Sequence, residues 1–265
     1  MVMNKITHAV TSKELLSVRI ILFMAFLGHA LVSLHVSEGY NLHYKIFSSV
    51  NIFDLDVEQA LRVFGIFDLT MAFLFLLNIF IKYIAPIAII YLLVVGVSGG
   101  VFFMQKTGGL FGVAELFRRV PWMFCSLFTW YITVKQRKLH YLLRVGIAFA
   151  FIAHGLASLG FFGLNGGHVE LASKILSEEA ASKFVYWSGI TDSIMGVMLM
   201  SGLLSRWAAI LGTVWLAFIV FLSVQVGIPE GIFRTGFFLM CLYVAMDKRC
   251  HSWKFENTLI IHNQL

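Results

Sequence analysis

Eight long runs of apolar residues, at roughly 18–37, 58–81, 83–104, 115–134, 143–163, 184–204, 206–226 and 231–247, fix what this chain of 265 residues can become. A helix needs about 20 mostly apolar residues to cross hydrocarbon. The runs are continuously apolar and do not alternate, so they read as membrane helices and not as barrel strands. Charged residues are only 13% of the chain against 59% apolar ones, and mean hydropathy is +0.86. A soluble domain could not cover that much apolar surface, and a disordered chain or disulfide scaffold has a different composition. The expected class is all-α, a polytopic membrane protein with the lipid bilayer as its main partner.

The net charge of +6 has an uneven distribution. Lys5, Lys13, Arg19, Lys82, Lys135, Arg137, Lys138, Arg144, Arg206, Lys248, Arg249 and Lys254 fall on one side of an eight-helix arrangement. Glu38, Asp54, Asp56, Glu58, Glu115, Glu170, Glu178, Glu179 and Glu230 fall on the other. The basic side is expected to be cytoplasmic, with both termini there, as in a multi-pass protein of a bacterial-type inner (plasma) membrane. The positive charge is then a topology signal and calls for no nucleic acid. Lys248-Arg249 reads as a solvated basic tail. The first span is too long for a cleavable signal peptide and lacks a small-residue cleavage pattern.

The chain also repeats itself. Arg19, His29, Ser33 and Leu34 recur 125 positions later as Arg144, His154, Ser158 and Leu159, and His43 recurs as His168. A shift of 124 pairs Gly65-Ile66-x-Asp68 with Gly189-Ile190-x-Asp192, and a shift of 116 pairs Phe117-Arg118 with Phe233-Arg234. Four spans per half give both halves one orientation. The expectation is two pseudo-repeated four-helix bundles side by side, 1–138 and 139–265, the second ending in a cytoplasmic tail.

Ionisable groups within hydrocarbon need an account. His29 and His154 lie about ten residues past an arginine, roughly 15 Å deep at about 1.5 Å per residue. Asp68 and Asp192 sit at similar depth. Depth allows a His29–Asp68 and a His154–Asp192 pair, each carboxylate fixing a tautomer and leaving the second ring nitrogen for a proton, a quinone carbonyl or a metal. Each pair reads equally as a buried latch. Two histidines related by a pseudo-twofold are also a candidate haem ligand set. Nearer the outer face, Arg62, Arg118, Arg119 and Arg234, overhung by His43 and His168, form a candidate anion site. The alternative there is snorkelling with Glu58, Glu115 and Glu230 as partners. His35 has no counterpart, since Gly160 replaces it, so no metal cluster of His29, His35 and His43 is expected. The connection Val169–Ser182 reads as an amphipathic cap on the outer side, with Ile46–Phe53 in the same part in the first half.

The motif Arg144 to His154-Gly155-Leu156, with Arg19 to His29-Ala30-Leu31 as a looser copy, resembles the first helix of the DoxX family of small four-helix membrane proteins. Asp192 through Gly202-Leu203-Leu204-Ser205-Arg206 resembles that family's second helix, and Asp68 to Lys82 is a weaker copy. The resemblance covers both halves and implies a tandem DoxX-like protein associated with thiosulfate:quinone oxidoreduction or other membrane redox assemblies. This chain has Asp where the family commonly has Glu, and its outer connections are long and bear histidine. The function expected is a membrane component of a redox system that binds a quinone-like ligand and handles protons with His29, Asp68, His154 and Asp192. Alternatives are a carrier or cargo receptor for a small lipid-like or anionic molecule, and a haem-b electron-transfer subunit. No residue transfers electrons by itself, so a soluble redox partner, another membrane subunit or a bound haem is required, and whether the chain is an enzyme is left open.

Overall fold

The computed structural model describes residues 2–35, 44, 48, 56–107, 111–135, 139–161, 166–173, 175–225 and 227–251. They form α1 (Val2–Ser33), α2 (Val57–Leu77), α3 (Ile81–Thr107), α4 (Phe111–Trp130), α5 (Tyr141–Ser158), the short α6 (Gly166–Ser173), α7 (Glu178–Ser201), α8 (Ser205–Val224) and α9 (Ile228–Met246). A π-helical turn, Tyr131–Lys135, continues α4, and a 3-10 turn, Lys248–His251, follows α9. There is no strand among the described residues.

Among the described residues, six stretches are long and apolar enough to cross a membrane: Glu14–Ser33, Val57–Leu77, Ile81–Phe102, Tyr141–Ser158, Ser205–Val224 and Ile228–Met246. The apolar runs at 115–134 and 184–204 correspond to α4 and α7, which are helices but fall short of that apolarity. The first carries Glu115, Arg118 and Arg119, and the second carries Ser188, Thr191, Asp192 and Ser193 midway along its length.

Helix ends follow local chemistry. Ser177 caps α7 by accepting a hydrogen bond from Ala180 N at 3.4 Å, and Glu178 and Glu179 complement the dipole of its first turn. The helix therefore starts earlier than the apolar run, and the expected amphipathic cap over 169–182 shortens to α6. Its expected first-half counterpart, 46–53, lies outside the described residues apart from Ser48. Gly202 ends α7 at φ 82°, a left-handed position that suits glycine. The helix α1 begins long before residue 18 and ends at Ser33.

The packing has a regular plan. Within the first four long helices, α1 lies on α2, α2 touches α3, and α3 lies on α4; α5, α7, α8 and α9 repeat that order. Two further contacts, α1 with α9 and α4 with α5, cross the chain's midpoint and are far more extensive than those of α1 with α4 or α5 with α9. The four central helices are thus α1, α4, α5 and α9. They approach closely: a Cβ added at Gly28 of α1 would stand 2.5 Å from Phe233 N of α9. One apolar core, including Leu22, Phe75, Phe128, Leu143, Leu199 and Met240, runs through both sets.

Two arginines serve as caps. Arg19 Nε donates to Phe75 O at 2.8 Å and its Nη2 to Leu76 O, and the fully buried Arg144 donates from Nη1 to Leu199 O at 2.9 Å. Each guanidinium meets the last carbonyls of a neighbouring helix, where the negative end of the dipole lies. At the same end of the bundle the expected solvated tail is instead packed. Arg249 pairs with Glu14 at 2.7 Å and Asp247 at 2.6 Å, and His251 Nδ1 lies 2.8 Å from Ser205 Oγ. His140 is buried beside both carboxylates, 3.9 Å from Glu14 and 3.7 Å from Asp247. Burial pushes the Asp247 carboxyl up, but hydrogen bonds from Arg249 outweigh it and hold the group below the usual carboxylate range.

Candidate functional site

Each half brings a histidine of its first helix to an aspartate of its second. His29 Nδ1 on α1 lies 2.6 Å from Asp68 Oδ2 on α2, and His154 Nδ1 on α5 lies 2.7 Å from Asp192 Oδ2 on α7. Both aspartates are buried to within 2%. The close approach of the helices makes this reach possible: a Cβ at Gly155 would overlap Ser193, one residue beyond Asp192. In a neutral ring the Nδ1 hydrogen is donated to the carboxylate and the Nε2 lone pair is left for other chemistry.

The pairs differ in what lies in front of them. A cavity of about 10 Å³ adjoins His29, Asp68, Tyr91, Arg119 and Trp122, room for roughly one water. A cavity of about 270 Å³ adjoins His154 and Asp192 and extends between the halves to His29, Gly28 and Val32 of α1, Arg118 and Arg119 of α4, and Glu230, Phe233, Arg234 and Phe237 of α9. The walls correspond position by position. Ala25, Phe26 and His29 become Ala150, Phe151 and His154 at a shift of 125, and Asp68, Tyr91, Leu92 and Val95 become Asp192, Trp215, Leu216 and Ile219 at a shift of 124. His29 stands in both walls.

The arginines expected to form a separate outer site open into the same large cavity. Arg118, Arg119 and Arg234 line it together with Glu230. Arg118 and Arg234 are within electrostatic reach of each other. His168 on α6 joins the two groups of residues. Its ring stacks on His154 with centroids 4.4 Å apart, its Nδ1 lies 2.8 Å from Ser158 Oγ, and its Nε2 lies 3.1 Å from Arg118 Nη2. Arg118 has only hydrogens to offer, so Nε2 accepts and Nδ1 donates to Ser158, which fixes a neutral ring. Burial holds the His168 imidazole well below the usual histidine range, and His154, Arg118 and Arg234 lower it further.

Arg62 is not part of this arrangement. Its side chain is 74% exposed and reaches Glu58 at 3.9 Å, one helical turn away. His43 lies outside the described residues. No group of three or more potential metal-ligating His, Cys, Asp or Glu side chains occurs among the described residues.

Sequence reading missed Tyr91, Trp122, Phe151, Trp215 and Phe233, which shape the two cavities. For three of these the signal was available: the shifts that align the histidines and aspartates also align Phe26 with Phe151 and Tyr91 with Trp215. Trp122 and Phe233 fall under the shift of 116 instead, which pairs neither with a wall residue of the other cavity; they enter the first cavity from α4 and α9.

Comparison of the chain with curated proteins and with solved structures returned no match. A family model does match, over residues 148–232. That stretch holds His154, Asp192, Trp215 and Glu230, and so much of the wall of the large cavity. The second half of the chain carries a match to the DoxX-like family.

Proposed function

We propose that the protein is a component of a membrane redox system and that the 270 Å³ cavity binds a quinone-like ligand. The observation that carries this reading is the convergence of His154 and His29, each held by a carboxylate, on one aromatic-lined cavity that also holds three guanidiniums. His154 with Asp192, and His29 with Asp68, would exchange protons with the ring oxygens. Arg118, Arg119 and Arg234 would stabilise the negative charge that a quinone gains on reduction. Eight helices would cross the membrane as two pseudo-repeated units, with Arg118 and Arg119 of α4 and Asp192 of α7 turned to the large cavity. The matching walls of the two cavities and the repeated packing order support that duplication. Both termini would face the cytoplasm, and electrons would come through a soluble or membrane partner.

Trp215 lines the cavity and supplies the signal for a test. A short-chain quinone titrated into the purified protein in mild detergent is expected to quench tryptophan fluorescence saturably, and His154→Gln is expected to weaken binding. Quenching that neither saturates nor responds to His154→Gln would remove the quinone reading.

The arginines favour a second reading, carriage of a small anionic or lipid-like molecule. Uptake of such a molecule into vesicles, in the absence of any quinone response, would replace the first reading with it. Because both histidines line one cavity, a haem is a third. A dithionite-reduced minus air-oxidised spectrum with sharp bands lost in His29→Ala or His154→Ala would establish it.

A further inference from the structure

We infer that the small cavity of the first half is a binding site for one water molecule, which joins Asp68, Tyr91, Arg119 and Trp122 behind the wall of the large cavity. The site does not depend on what the large cavity binds.

Four polar atoms, one from each of these lining residues, are buried without a hydrogen-bond partner among the described residues: Asp68 Oδ1, Tyr91 Oη, Arg119 Nε and Trp122 Nε1. Asp68 is fully buried and Trp122 is 1% exposed. Tyr91 stands within electrostatic reach of both Asp68 and Arg119, so polar groups of α2, α3 and α4 converge on one space. Native folds rarely leave such a cluster unpaired, because each orphaned group forfeits the bonds it made to water. The space of about 10 Å³ is close to the least that one water needs, and it admits nothing larger. The inventory of donors and acceptors also selects water. Arg119 Nε and Trp122 Nε1 can only donate, and an ionised carboxylate can only accept. A water accepts from the two nitrogens and gives its own hydrogens to Asp68 Oδ1 and Tyr91 Oη. A metal cation or an ammonium ion would face two N–H groups, and a halide would face the carboxylate. His29 and Arg119 stand in the walls of both cavities, and His29 is bonded to Asp68. A water on Arg119 Nε and Asp68 Oδ1 therefore steadies, from behind, two side chains that line the large cavity.

A crystal structure of the whole protein, grown in rubidium bromide at a resolution that shows ordered water, tests the site directly. One peak without anomalous scattering is expected, at about 3 Å from all four atoms. An anomalous peak there would put an ion in place of the water and overturn its assignment. A cavity closed by a turn of Tyr91 or Arg119, with direct bonds in place of the peak, would overturn the site itself. Unfolding in detergent tests it in solution. Tyr91→Phe and Trp122→Phe each remove one partner and keep a ring, and each is expected to raise the unfolding equilibrium constant about tenfold. The double variant should raise it by less than about thirtyfold, because the first change already releases the water that the second group shares. A rise of about a hundredfold, the product of the two, would mean that the groups act independently and would overturn the shared water.

Discussion

Each half of this chain pairs a histidine with an aspartate, and the two pairs face different spaces. In the first half Tyr91, Trp122 and Phe233 close on the His29–Asp68 pair and leave about 10 Å³; in the second the corresponding pair, His154–Asp192, opens onto about 270 Å³. The bonds are nearly identical, 2.6 and 2.7 Å, so the difference is not in the polar pair. It is in what the neighbouring helices insert. Trp122 has Phe238 as its counterpart at the shift of 116, but the two rings are used differently. The indole fills the space before the first pair, whereas α9 turns Phe237 and not Phe238 to the wall of the large cavity. One buried indole, Trp122, separates an enclosed pair from one that opens onto a large cavity.

Changes on the two sides should therefore have unequal effects. The largest is expected at the helix caps. Arg144 is fully buried on the carbonyl of Leu199, whereas Arg19 is only partly buried. Arg144→Ala should cost about 3–4 kcal/mol, and Arg19→Ala about half that, by denaturant unfolding in detergent. Equal losses would mean that the halves share their load evenly. Next comes Trp122→Leu, which should cost about 3 kcal/mol of stability but enlarge the first cavity, raising the binding stoichiometry of a short-chain quinone from one towards two. A stoichiometry fixed at one would show that Trp122 is not what keeps the first copy closed.

Smaller effects sharpen the comparison within the site. His154→Gln should weaken quinone-probe binding about tenfold, near 1.4 kcal/mol, and His29→Gln, seated in the wall between cavities, by less than threefold. The acid side of the stability curve comes next. His168 stays neutral in the folded protein below the pH at which an unfolded histidine, near 6.5, takes up a proton. The unfolded state then binds more protons, so stability falls as pH drops below about 6.5, by up to about 1.4 kcal/mol per unit. Melting temperature followed from pH 7 to 5 should show a shallower decline in His168→Gln. Least is expected from Arg62→Gln, whose exposed partner Glu58 is 3.9 Å away: within about 0.5 kcal/mol of wild type, and unchanged probe binding.

Hydropathy made the helices legible, since each apolar run coincides with a helix. Depth along α1, α2, α5 and α7 was enough to suggest which histidine meets which aspartate, because helical rise is constant. The joining of the outer arginines to those pairs was not legible. It depends on α9 packing on α1 and α4 on α5, contacts between segments with no shared pattern. Arg19 and Arg144 misled in a different way: a basic residue at a span's end reads as a marker of membrane side, and nothing local reveals that its guanidinium caps a neighbouring helix. Arg249 reads as a tail charge for the same reason, while its partner Glu14 lies on the far side of every other long helix in the sequence.

That last contact bears on how the chain is made. Glu14 emerges from the ribosome long before Arg249, so while all the intervening helices are synthesised the carboxylate lacks the partner that holds it in the finished fold. The helices of the first half can insert and begin to pack, but this end of the bundle closes only when the turn Lys248–His251 arrives to dock against α1, α5 and α8. A chain interrupted before Arg249 would leave this end of the bundle without the turn that ties α1, α5 and α8 together.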